Sequence, residues 1–118
     1  QATALAIAGD ASHLVLYGFR NVTGLQILAK QLLDQGRSVR CIVGDWSDAS
    51  QIPTLVDSAF AWQGRIDAWI HIAGADVLTG EARLAPFETK LVQLVKTDVL
   101  GTIFSCRRVA KRMLVQES

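Results

Sequence analysis

Residues 17–24 (Tyr-Gly-Phe-Arg-Asn-Val-Thr-Gly) combine residue types that can hold a phosphate. Gly18 and Gly24 let the backbone approach an anion, and a helix opening after them offers free amides and a positive dipole end. Arg20 adds a cation. The same pattern also suits an ordinary strand-to-helix turn with a solvated arginine, so both readings stand. Asp45 follows Gly24 by 21 positions, where a carboxylate can hold an adenosine ribose or simply open the next helix. His71 lies in an apolar run and reads as a buried, hydrogen-bonded histidine. Trp46, Trp62 and Trp69 read as packing residues. Cys41 and Cys106 make no metal or disulfide spacing and read as small buried hydrophobes. They suit a reducing compartment, hence a cytoplasmic location.

These residues need elements to position them. The first two apolar runs, residues 3–8 (TALAIA) and 13–17 (HLVLY), each suit a first strand, and runs so short also suit a piece of buried helix. Gly9-Asp10 is a turn signal after the first of them. From Gly24, Leu25, Leu28, Ala29, Leu32 and Leu33 share one helical face, and Gly36 stands where a C-terminal glycine belongs. Residues 39–43 (VRCIV) read as a strand. Ile52, Leu55, Val56, Ala59 and Phe60 mark a second amphipathic helix, with Pro53 in its first turn and Gly64 at its end. Residues 66–72 (IDAWIHI) read as a near-continuous apolar strand, as expected where both sheet faces are covered. Ala73-Gly74-Ala75 opens a loop, and residues 87 to 115 read as one long helix containing Gly101. The alternation predicts βαβ units and a parallel sheet with flanking helices, an α/β Rossmann-like fold whose ligands lie beyond the strand ends.

With 118 residues the chain holds one domain. Half of it is hydrophobic and 19% is charged, which excludes disorder as the main state. Twelve basic residues against eleven acidic ones leave a net charge of +1, too small for a general nucleic-acid binder. No stretch has the roughly 18 apolar residues of a membrane helix. The chain starts at Gln1 without a basic segment, which reads as a processed, tagged or partial product without a signal peptide.

Four segments resemble the short-chain dehydrogenase/reductase family. Residues 64–76 (GRIDAWIHIAGAD) resemble its G-[RK]-[IL]-D-x-[LW]-[VI]-x-N-A-G strand and loop, with Ile72 in place of the asparagine. Residues 98–113 (DVLGTIFSCRRVAKRM) resemble the long helix that opens N-x-x-G, with Asp98 in place of the asparagine. Residues 44–60 resemble the D-[VL]-[TS]-D segment and its helix. Residues 17–36 resemble the nucleotide loop T-G-x-x-x-G-x-G, with Tyr17 for threonine and Val22 for the middle glycine. A strand and a helix of the family have no counterpart between residues 36 and 45, so the fold is read as incomplete. Asp45 accordingly matches either the family's ribose acid or the aspartate beside its adenine.

The resemblance implies an NAD- or NADP-dependent oxidoreductase acting on a carbonyl or alcohol. It implies cofactor contacts at Gly18, Arg20, Asn21, Val22, Gly24, Asp45, Trp46, Ala73, Gly74 and Ala75, a catalytic-site role for Asp98, and no metal. It implies a homodimer or homotetramer built through the helix from Leu91 to Leu114. The family's Tyr-x-x-x-Lys pair is absent, since Tyr17 is the sole tyrosine. The 118 residues are therefore expected to be an inactive nucleotide-binding half. A second expectation is a degenerate, non-catalytic member acting as a binding module, because Val22, Ile72 and Asp98 all depart at ligand-facing positions.

Overall fold

The computed structural model describes residues 2–9, 11 and 13–117. They group into two compact units, Gln1–Gly44 and Asp45–Ser118.

The first unit runs α1 (Ala2–Ile7), β1 (His13–Gly18), α2 (Val22–Asp34) and β2 (Ser38–Val43). The first apolar run is thus a helix and the second is the strand. Ala8 and Gly9 form a turn, and Asp10 lies outside the described residues. β1 and β2 pair in parallel from His13↔Ser38 to Gly18↔Val43, with the Gly44 N–H extending the ladder to the Gly18 carbonyl at 3.0 Å. The connecting helix α2 turns Leu25, Leu28, Ala29 and Leu32 inward against Leu16 and Ala8, as its apolar stripe requires. Gly36 takes a positive φ of 82° after the helix, a backbone region that glycine enters without strain. β2 is an exposed edge, and Cys41 on it is exposed rather than buried; Cys106 is half-buried.

The second unit runs α3 (Ile52–Gln63), a short 3₁₀ helix (Gly80–Leu84), α4 (Phe87–Leu94), a π-helical segment (Val95–Gly101) and α5 (Thr102–Val115). α3 buries Ile52, Leu55, Val56, Ala59 and Phe60. Pro53 sits in its first turn and Gly64 ends it in the left-handed region. Asp57 on α3 receives a two-pronged ion pair from Arg108 on α5, Nε to Oδ1 at 3.0 Å and Nη2 to Oδ2 at 2.6 Å. That pairing holds the Asp57 carboxyl below its usual range.

Two expectations are corrected. Residues 66–72 form no strand; β1 and β2 are the strands among the described residues. Burial alternates over its second half: Trp69 and His71 are half-buried, while Ile70 and Ile72 are 49% and 70% exposed. The side-chain period of a strand is present without a ladder of hydrogen bonds to complete it. The long helix is also not uniform. Seven residues in its middle widen to the π form, which inserts one residue into the turn and shifts the side-chain register beyond it.

Candidate functional site

In the first unit, α2 begins one turn earlier than its apolar stripe suggests, so Val22 and Gly24 belong to its first turn rather than to a loop. Asn21 is the N-cap, its Oδ1 accepting the Gly24 N–H at 2.8 Å. A Cβ on Gly24 would stand 2.5 Å from Asn21 Nδ2, so glycine is what lets this cap close. A Cβ on Gly18 would meet Leu25 at 3.0 Å; here glycine lets the helix pack close to the strand. Arg20 stands over the exposed Phe19 ring, 5.5 Å from its centroid. Burial drives the Tyr17 hydroxyl well above its usual pKa, which unsuits it as a proton donor at neutral pH.

In the second unit, three pieces of chain meet at the π segment. Asp98 lies within that segment, and its Oδ1 accepts the Ala75 N–H at 2.8 Å. Gly74 lies beside the same oxygen, and a Cβ there would make ordinary van der Waals contact with it at 3.5 Å. Gly101, at the other end of the segment, is pressed against the loop at 45–48: a Cβ there would fall 2.6 Å from the Trp46 carbonyl oxygen. Trp46 is buried and packs edge-on against Trp69 and His71, with centroids 6.1 and 5.3 Å apart. Ser105, fully buried one turn on, donates to the Gly101 carbonyl at 2.6 Å and lies 3.3 Å from His71 Nδ1. Asp45 Oδ1 accepts both the N–H and the hydroxyl of Ser47, at 2.9 and 2.7 Å, and the Asp45 N–H donates to Gln51. The π segment therefore fixes two loops at once, 45–48 and 73–75.

His71 is half-buried, and its Nε2 has no hydrogen-bond partner among the described residues. Burial lowers its pKa. The unfolded chain then holds the proton more tightly, so stability is full above the unfolded value of about 6.5 and falls as pH drops below it. Urea midpoints between pH 8 and 5 are expected to drop, at a rate of at most about 1.4 kcal/mol per pH unit. The His71 part of that slope should vanish in His71→Asn.

The family model described as short chain dehydrogenase matches residues 1–118. The chain belongs to the short-chain dehydrogenase family. It is 24% identical over 94 residues to the chloroplastic chlorophyll(ide) b reductase NOL of Arabidopsis thaliana, covering 80% of this chain and 26% of that protein. A double mutant of the Serratia marcescens short-chain dehydrogenase/reductase superposes with a TM-score of 0.82 at 19% identity, covering 95% of this chain and 45% of the other. A metagenomic short-chain oxidoreductase in complex with NADP superposes with a TM-score of 0.81 at 19% identity, covering 96% and 50%. The chain thus spans about half the length of these solved structures and about a quarter of the curated relative. The family is one of NAD(P)-dependent oxidoreductases, and the α/β fold with a parallel sheet and flanking helices is the one its members share.

Taken one at a time, the local structures fit parts of a dinucleotide. The α2 N-terminus, with Gly18 before it and Gly24 in its first turn, suits a diphosphate. Asp45 keeps Oδ2 without a hydrogen-bond partner among the described residues, which suits an adenosine hydroxyl or amine. Gly74 is exposed in a loop. Among the described residues no group of three or more His, Cys, Asp or Glu is placed to hold a metal ion. Sequence reasoning missed Ser105 and the π segment. Gly101 was the one trace of the latter in the sequence, and nothing marked Ser105.

Proposed function

We propose that this chain is the nucleotide-binding half of an NAD(P)-dependent oxidoreductase that moves hydride between nicotinamide and a carbonyl or alcohol substrate, residues 1–118 being a partial dinucleotide-binding domain. The observation that carries the reading is the Asp98–Ala75 hydrogen bond, which joins the π segment to the glycine loop. In this reading Gly18, Arg20, Asn21, Val22 and Gly24 receive the diphosphate. Asp45 and Trp46 receive the adenosine end, and Ala73, Gly74 and Ala75 line the path towards the nicotinamide. The cofactor, when bound, supplies the hydride donor or acceptor. Asp98 sets the loop beside that chemistry by accepting the Ala75 N–H.

A second reading, a non-catalytic binding module, is favoured by one observation: the Gly24 amide at the start of α2 is already spent on Asn21. The reading further places the protein in the cytoplasm as a homodimer or homotetramer through the helix from Leu91 to Leu114. Leu91, Val92, Val99 and Ile103 are each about half exposed there, and no described helix is long and apolar enough to cross a membrane.

The test follows nicotinamide absorbance with a panel of ketones and alcohols. The complete protein is expected to turn over at least one of them, and to scatter light as a dimer or larger. The 118-residue chain alone should be slower by on the order of 100- to 10,000-fold or more, the usual cost of a missing positioned acid. A complete protein inert with both cofactors would favour the binding module. A complete protein that stays monomeric at tens of micromolar would refute the oligomer.

A further inference from the structure

Ser105 is fully buried on α5, and its hydroxyl meets two different parts of the chain. It donates to the Gly101 carbonyl at 2.6 Å, at the end of the π segment. A helical serine often bonds back in this way to the carbonyl four residues earlier and needs no other partner. Here His71 Nδ1 also stands 3.3 Å from the same oxygen. A hydroxyl has one hydrogen, and the shorter contact to Gly101 takes it. Nδ1 therefore carries a hydrogen and donates to Ser105, which fixes the tautomer of His71. Trp46 packs edge-on against that ring, with centroids 5.3 Å apart.

Ser105 is the middle of three ties between the 66–75 segment and the helix. Gln116, just after α5, accepts the Ile66 N–H through Oε1 at 3.0 Å and donates through Nε2 to the Ile66 carbonyl at 2.9 Å, as a residue on a neighbouring strand would. Asp98 accepts the Ala75 N–H at 2.8 Å. The intervals match. Eleven residues from Ser105 to Gln116 rise about 16 Å along a helix, and five residues from Ile66 to His71 cover about 16 Å of extended chain. On the other side of the tie the intervals are seven and four residues, about 10 and 13 Å. The segment thus runs back along the helix with little slack.

We propose that Ser105 is a positioning residue for the 73–75 loop: by holding His71 and the Gly101 carbonyl together, it sets that loop against Asp98. Its consequence for hydride transfer rests on the reading in which Ala73, Gly74 and Ala75 line the path to the nicotinamide. The diphosphate contacts at Gly18 to Gly24 do not pass through Ser105. Loosening the tie should therefore spare dinucleotide affinity and misplace the nicotinamide end, where orientation governs rate.

The experiment compares Ser105→Ala, His71→Phe and their double variant in the complete protein, by hydrogen exchange at the Ala75 amide and by steady-state kinetics. Alanine suits the helix at 105, and phenylalanine keeps a ring beside Trp46. Ala75 exchange is expected to quicken about fivefold in either single variant, the fold-change of one lost hydrogen bond, with the amides of α3 unaffected. The double variant should be no faster than the singles, because both cut one link. His71→Asn, whose amide nitrogen can stand where Nδ1 does, should keep exchange slow. With a substrate that the complete protein turns over, kcat should fall at least about tenfold in Ser105→Ala, while the Kd of NADH or NADPH changes by less than about twofold. The proposal is overturned by unchanged Ala75 exchange in Ser105→Ala, by an equal rise in α3, by an additive double variant, or by an undiminished kcat in Ser105→Ala. Exchange that responds as expected in a complete protein that turns over no ketone or alcohol supports the tie and contradicts the oxidoreductase reading alone.

Discussion

Phe60→Ala is expected to lower the unfolding free energy of the protein by about 3–5 kcal/mol. Phe60 is 2% exposed at the centre of the inward face of α3, among Leu55, Val56 and Ala59. Truncation removes the transfer energy of a whole ring and leaves a cavity that two helices cannot close. They are pinned beside it, Asp57 on α3 holding Arg108 on α5 through two hydrogen bonds. The Arg112 guanidinium also stands over the ring, 5.2 Å from its centroid, and loses that contact. Urea denaturation followed by far-ultraviolet circular dichroism measures the change. A loss below about 1 kcal/mol would mean that α3 is not a core element of this unit.

Gly101→Ala carries the second largest expected effect, and its sign separates two arguments. Inside an ordinary helix the change is favourable by about 1 kcal/mol, because alanine restricts the unfolded chain and suits the helical backbone. Here the added Cβ would stand 2.6 Å from the Trp46 carbonyl oxygen and 3.2 Å from that of Lys96. Both are backbone atoms, so neither swings aside. Overpacking of this kind costs about 1–3 kcal/mol, and the expected result is net destabilisation. The near-ultraviolet signal should also change, because Trp46 sits edge-on to Trp69 and moving its loop alters their coupling. A stabilised variant with an unaltered tryptophan spectrum would show that the π segment does not press on the 45–48 loop.

What the sequence disclosed follows from the range of the forces involved. α2 and α3 are legible because amphipathic spacing and end signals are local: Leu25, Leu28 and Leu32 on one face, Gly64 at a C-terminus. β1 and β2 are legible as short β-branched or apolar runs bounded by glycine. The run at 66–72 has the same composition, yet a strand exists only where a neighbour supplies hydrogen bonds, and pairing leaves no mark in a single run. The burial of Cys41 failed for a related reason, since a strand's side chain is covered only where another element packs on that face of the sheet, and Cys41 is exposed.

The site divides the same way. Asp98, Gly74 and Ala75 were singled out by type and by family resemblance, and the structure brings them within one hydrogen bond. The π turn that does so is a one-residue insertion whose one trace in the sequence is Gly101. His71 was expected to be buried and bonded. Its half-buried ring has one nitrogen near Ser105, a residue 34 positions away that no local pattern connects to it. At Asn21, the cap competes for the amides that a phosphate would use, a conflict invisible until the side chain is placed.

Fluorescence titration of NADH and NADPH into the complete protein tests the central claim, that this chain forms the nucleotide-binding half of an oxidoreductase. Saturable binding of at least one of the two is expected, with Kd on the order of 1 μM to 1 mM, the usual span of KM values. Gly24→Val should weaken it at least about tenfold, since the added side chain strikes Asn21 and crowds the first turn of α2, where the diphosphate would lie. Val22→Gly should tighten it by removing a β-branched side chain from the same turn. Failure of both dinucleotides to saturate up to about 1 mM, or full-strength binding in Gly24→Val, would contradict the account.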